Sequence, residues 1–202
     1  RKLGYVMTDS NIFTASDAWL SDAGAAEATY GHISTWETGA VTDMAYLFCA
    51  QSGWTSHCNT AAESFDEDIS AWDTSGVTSM AEMFKEATSF NQDISSWSVG
   101  AVIDMHDMFK DASAFNQDLG WCVDDDVELD DAFDDTQCES TSCGIVGGVG
   151  CDIPAGNGNV MVNWKIKIAV AAWLSNPTGA TATYGHISTW ETGEVRDMSG
   201  LF

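Results

Sequence analysis

Basic residues are scarce in this sequence: 7 Lys and Arg stand against 31 Asp and Glu, giving a formal charge of −24 and an isoelectric point near 4.1. Between Lys2 and Lys165 the only ones are Lys85 and Lys110. A surface this negative repels phosphate backbones, which excludes nucleic acid as a partner. Ion pairs cannot neutralise it, so the charge reads as solubility or as tolerance of ionic strength, where salt screens self-repulsion within ~8 Å or less. Apolar runs of the ~20 residues that a membrane helix needs are missing, and no charged-then-apolar signal segment opens the chain. With Arg1 in first place, the chain reads as a mature or partial product. The Asn-x-Ser/Thr acceptor is absent too, so no N-glycan is expected. Histidines number four against six cysteines, Cys49, Cys58, Cys122, Cys138, Cys143 and Cys151. That balance favours disulfides in an oxidising compartment, extracellular or on a cell surface.

What the sequence does have is repetition on two scales. The stretch Ala-Thr-Tyr-Gly-His-Ile-Ser-Thr-Trp-Glu-Thr-Gly at 28–39 recurs unchanged at 182–193, an offset of 154 residues. The match extends outward to Trp19/Trp173, Leu20/Leu174, Asp43/Asp197 and Phe48/Phe202. The chain thus holds one full module and the opening of a second. Inside the module, residues 69–93 are followed by a close copy at 94–118, a 25-residue step. A first copy begins at Ile33 and carries an insertion with Cys49 and Cys58; a worn fourth begins at Leu119 and keeps Trp121, Val127, Leu129 and Phe133.

Within one copy Val77, Met80, Met83, Phe84 and Ala87 fall at i, i+3, i+6, i+7 and i+10, a spacing that predicts a short amphipathic helix with Asp73, Thr74 or Ser75 as its cap. Phe90, Ile94 and Trp97 sit among small polar residues and suit a short strand or extended turn. A unit of strand, turn and short helix cannot bury its apolar face alone, whereas stacked copies join those faces into one core. The expected fold is therefore an α/β repeat, a solenoid of ~25-residue units. Its ladders would comprise Ile33, Ile69, Ile94 and Leu119; Trp36, Trp72, Trp97 and Trp121; Phe65, Phe90 and Phe115; and Asn91 and Asn116 as turn-bonding asparagines. Ile12, Ala15, Trp19 and Leu20 mark an amphipathic helix that would cap the open end. The organisation expected is a capping segment over 1–31 and a solenoid over 32–143 in four copies (32–68, 69–93, 94–118, 119–143). A Gly-rich linker at 144–159 and the start of a second module at 160–202 follow. The helix counterpart at 164–170 reads as more β-like than the first.

The string Met-Phe-x-x-Ala-x-x-Phe-Asn-Gln-Asp-Ile-Ser-x-Trp, at 83–97 and again at 108–121 with Leu119-Gly120 replacing Ile-Ser, resembles the leucine-rich-repeat-like family of bacterial surface proteins also called the BspA-like or DUF285 family. The resemblance covers roughly 33–133 and restarts at Ile187. It implies a right-handed leucine-rich-repeat-like solenoid in a secreted or surface-bound protein.

Chemistry is expected to be architectural. Asp68, Asp93 and Asp118 recur with the repeat, and His32 and His186 fill the same slot in successive modules, so neither set reads as catalytic. Cys49, His57 and Cys58 fall short of the four ligands of structural zinc; a Cys49–Cys58 disulfide closing the insertion is expected instead, with ~2–3 kcal/mol of chain-entropy stabilisation. Cys122 with Cys138 and Cys143 with Cys151 are the pairs expected for the rest, although spacing does not fix connectivity. The acidic run at 124–135 offers Asp124, Asp125, Asp126 and Asp130 as candidate calcium ligands, but it lacks the glycine and glutamate spacing of an EF-hand. No other cofactor is expected. Repetition of whole modules suits a fibre, appendage or surface layer built from further copies of the protein. The alternative is a module binding carbohydrate, protein or calcium through one face, which exposed aromatics would reveal.

Overall fold

The computed structural model describes residues 4–53, 57–124, 126–147, 160–162, 169–170, 173–174, 177–184 and 186–194. The chain divides into two compact units, Arg1–Trp121 with Asp126–Ile145, and Cys122–Asp125 with Val146–Phe202.

The first unit opens with β1 (Val6–Thr8), which pairs in parallel with β2 (Glu37–Ala40) through the partners Val6/Glu37 and Thr8/Ala40. Between them lie α1 (Ile12–Ser21) and α2 (Ala23–Tyr30). α1 buries Ile12, Ala15, Ser16 and Trp19, the i, i+3, i+4, i+7 face of a helix, while Leu20 is half-buried. Extended Asp22 ends α1 and caps α2, its carboxylate accepting from the Ala25 N–H at 3.1 Å. The capping segment is therefore two helices. Trp19 meets Trp36 edge-on at 6.2 Å and His32 at 5.1 Å, so α1 covers the first ring of the tryptophan row.

Beyond β2 the copies depart from the strand, turn and helix expected of them. Residues 79–87 form neither a helix nor a strand but consecutive tight turns, with N–H to C=O bonds from Met83 to Met80, Lys85 to Glu82 and Ala87 to Phe84. The alternate amides leave the copy: those of Met80, Glu82, Phe84 and Glu86 donate to carbonyls of Asp104, His106, Met108 and Lys110. Met44, Tyr46, Phe48 and Ala50 donate to the second copy in the same way, and Met105, Asp107, Phe109 and Asp111 to the fourth. Parallel bridges Asp43/Ser79, Ser79/Asp104 and Asp104/Glu128 tie the four copies at one register. Left-handed residues recur along these turns at Tyr46, Glu82, Glu86, Asp107, Asp111, Asp131 and Asp135, with φ between 52° and 65°. Turns closed by i to i+3 bonds return residues three and four apart to one side, which is why the sequence spacing mimicked a helix. Residues 91–94, expected to lie in a short strand or extended turn, form no strand: among the described residues their backbone meets no backbone of a neighbouring copy, and Asn91 is held by side chains instead.

The core is a set of aromatic rows. Trp36, Trp72, Trp97 and Trp121 stack at 5.9, 6.4 and 6.4 Å. Phe48, Phe84, Phe109 and Phe133 follow at 5.7, 5.3 and 5.8 Å. Phe65, Phe90 and Phe115 lie beside them at 5.9 Å per step. Each ring sits over its counterpart in the next copy because the backbone register fixes the spacing. Ile33, Ile69, Ile94 and Leu119 are fully or almost fully buried beneath them.

Two disulfides staple this unit. Cys49–Cys58 closes the insertion of the first copy. Cys138 pairs with Cys143, which corrects the expected Cys122–Cys138 and Cys143–Cys151 pairs. The reason is local: a 3-10 segment, Glu139–Gly144, with Ser142, Cys143 and Gly144 at positive φ doubles back and leaves the two Cα atoms 4.8 Å apart. Gly144 is needed there, since at φ +76° a Cβ would run into the Asp118 carboxylate.

In the second unit, β3 (Cys122–Val123) pairs in parallel with β4 (Val146–Gly147), so the beginning of the Gly-rich segment is strand; 148–159 and Cys151 lie outside the described residues. Cys122 is itself disulfide-bonded. Strand β5 (Val160–Val162), α3 (Pro177–Tyr184), a 3-10 turn at Ile187–Thr189 and β6 (Glu191–Glu194) repeat β1, α2, Ile33–Thr35 and β2 element for element. Ala169 and Val170 are helical and buried, packed with Tyr184 and Trp190, where a β-like segment was expected. They take the places of Ala15 and Ser16 on the buried face of α1. The rest of the tract at 163–168 lies outside the described residues.

Candidate functional site

A dense polar constellation in the first unit runs across the turns of the second, third and fourth copies. The two lysines isolated in this long acidic sequence are one period apart, and each points forward. Lys85 Nζ lies 3.0 Å from Glu82 of its own copy and 2.7 Å from Asp107 of the next. Lys110 Nζ lies 3.5 Å from Asp107 and 2.6 Å from Asp131. His106 joins the row with Nδ1 2.8 Å from Asp104 and Nε2 3.4 Å from Glu82. The acids Glu82, Asp107 and Asp131 are the left-handed residues of their turns, so the backbone that creates the ladder also aims its carboxylates at the cations.

Burial makes these pairs matter. Lys85 and Glu82 are each 9% exposed, and a charge removed there leaves its partners with one counter-charge fewer in a poorly hydrated setting. Desolvation pulls Lys85 down, but bonds to Asp107 and Glu82 outweigh it and hold the amine above its ordinary value. His106 follows the same logic: burial opposes its charge, and Asp104 and then Glu82 more than restore it. Tyr46 is raised by burial and by the neighbouring Glu82 carboxylate. Asp131 is lowered by Lys110.

A second polar row follows the edge of the stack. Asp66 accepts from the Asn91 N–H, and Asn91 Oδ1 accepts from the Asn116 N–H, both at 2.9 Å. Gln92 and Gln117 donate to the carbonyls of Asp66 and Asn91 at 2.8 Å. Asp68, Asp73 and Asp93 each accept from the N–H two residues on, at 3.0 Å, and are lowered by those serine contacts. Asp73 thus closes a turn instead of capping a helix. His32 accepts from the Ser34 N–H and His186 from the Ser188 N–H, each serving a turn.

The acidic run is not gathered into a metal centre: among the described residues no three His, Cys, Asp or Glu side chains are grouped so as to hold an ion. Asp126 and Asp130 are exposed, Asp124 is half-buried, and Asp125 lies outside the described residues. The aromatic rows point inward, with Trp36, Trp72, Trp97 and Trp121 only 3–4% exposed, so they form no platform for a sugar. A shallow polar groove of about 610 Å³ crosses the copies, lined in part by Glu63, Glu86, Thr88, Asp111 and Ser113 and without an aromatic. The forward-reaching ladder escaped the sequence reading. Its signal was the shared 25-residue spacing of Lys85 with Lys110 and of Glu82 with Asp107.

A family model described as "Mycoplasma protein of unknown function, DUF285" matches residues 22–143, more than half of the chain. No curated protein and no solved structure matches it.

Proposed function

Starting from a chain that belongs to the DUF285 family, we propose that it is a non-catalytic structural module of a secreted or cell-surface repeat protein. Its copies would coil as a right-handed leucine-rich-repeat-like solenoid, built here from turns, and its modules would assemble into an extracellular fibre, appendage or surface layer. The observation that carries this reading is repetition of geometry at both scales. Rings and amides recur copy by copy, and the leading segment with its Trp19/His32 contact recurs as Trp173/His186 at the same 5.1 Å. A chain that reproduces whole modules adds length and stiffness, while its polar groups are spent on bonding one copy to the next. Two disulfides, and the lack among the described residues of a helix long and apolar enough to cross a membrane, fit an exported protein.

Electron microscopy of the native material at near-physiological salt, with and without a calcium chelator, tests the reading. Ordered filaments with an axial repeat matching one module are expected. Isolated particles in both conditions would refute it, and filaments that dissolve on chelation would give the acids a bridging role.

A further inference from the structure

Three junctions between copies share one hydrogen-bond scheme, in which four alternate amides of each copy donate to carbonyls of the next. In the fourth copy the corresponding donors are Leu129, Asp131, Phe133 and Asp135. Glu139 Oε2 takes the Asp135 N–H at 3.3 Å, but the N–H groups of Leu129, Asp131 and Phe133 meet no acceptor among the described residues. The stack therefore ends in a row of three unpaired donors, an open parallel edge that a further strand can join.

Charge selects the strand. In the second and third copies the slot three residues after the left-handed acid holds Lys85 and Lys110; in the fourth it holds Asp134. No cation reaches forward from this copy, and Glu128, Asp130, Asp131 and Asp135 are exposed around the edge. Desolvation, then Asp131 and Glu139, keep the Asp134 carboxyl above its usual range against a downward pull from Lys110. Lys110 already compensates Asp131, but a second copy approaching through this same edge would set carboxylates against Glu128, Asp130, Asp134 and Asp135, and a neutral strand would bring them no cation.

We infer that the edge at 128–135 is a docking surface for an extended, basic peptide segment, which supplies carbonyls to Leu129, Asp131 and Phe133 and a Lys or Arg side chain to Asp134. Pairing is parallel, continuing the register of the copies beneath it. The surface is independent of filament formation, because it requires only the fourth copy as folded here.

The test is titration of the full chain with a synthetic peptide of alternating Lys and Val, at ~10 mM and ~150 mM salt. Amide exchange is followed at Leu129, Asp131 and Phe133. Binding that slows exchange at these three amides is expected, weakening with salt and falling about tenfold in Asp134→Lys, which restores the cation of the earlier copies. A peptide of equal charge with Pro at the Val positions should leave the amides unprotected. The proposal is overturned by absence of binding at low salt, or by binding that leaves the three amides unprotected, which is general attraction to a polyanion. Protection of the amides by self-association of the chain alone would equally overturn it, making a second copy the occupant. The exchange readout on the unaltered chain decides the matter even if Asp134→Lys folds poorly.

Discussion

The leading segments of the two units share twelve consecutive identical residues and the same local geometry, yet one isoleucine is buried and its counterpart is not. Ile33 is fully buried, whereas Ile187 is 37% exposed. Trp36 and Trp190 both end a 3-10 turn and both meet a tryptophan edge-on at 6.2 Å. Around Ile33, Trp72 of the following copy stacks on Trp36 and bonds the Ile33 carbonyl through its indole N–H at 2.9 Å, a contact without a counterpart at Ile187 among the described residues. Local sequence thus writes the turn, and the next copy writes the burial. A unit of this protein has geometry of its own but borrows its core from its neighbour.

The largest effect expected from breaking that comparison is at its two isoleucines. Ile33→Ala should cost the first unit ~2–5 kcal/mol, while Ile187→Ala in this same chain should cost under ~1 kcal/mol, read from denaturant unfolding. Equal losses at the two sites would show that burial is set within the segment after all.

The indole N–H groups sharpen it further. Trp97 donates to the Ile69 carbonyl at 3.2 Å, whereas the buried Trp121 Nε1 meets no acceptor among the described residues, in a copy one residue short between Trp97 and Trp121. Trp97→Phe should destabilise by ~1 kcal/mol more than Trp121→Phe, which removes an unsatisfied donor. Thermal unfolding of both variants checks this, and the opposite order would contradict the register described above.

The smallest effect is on the pH profile. His106 titrates above its ordinary value in the fold, so its stabilisation is fully present below ~6.5 and is lost as pH rises through the higher folded value. Asp68, Asp73 and Asp93 behave inversely: their stabilisation is present above ~3.9 and lost as pH falls through their lowered values. His106→Gln should flatten the decline in stability above ~6.5 while leaving the acid limb unchanged. A decline that persists in the variant would assign it to another group.

Much of the arrangement could be read before any coordinates. The 25-residue offset is the offset at which Trp72 and Trp97, and Phe90 and Phe115, stack, because a stacked repeat places identical side chains over one another. The motif at 83–97 pointed to the family that the match over 22–143 shows. The turn run at 79–87 was not legible, since i to i+3 turns and a short helix put apolar residues at the same intervals. Nor was the Cys138–Cys143 pair, which depends on three consecutive positive-φ residues that no side chain in that stretch demands except Gly144.

The sequence by itself determined which residues are equivalent, the scarcity of cations that makes Lys85 and Lys110 matter, and the even cysteine count, because these are properties of order and composition. Tertiary structure alone decided which amides cross between copies, which acid each lysine grips and which edge is left open. Those outcomes rest on the local alternation of backbone direction along the turns together with bonds to the adjacent copy, which act between residues more than twenty positions apart.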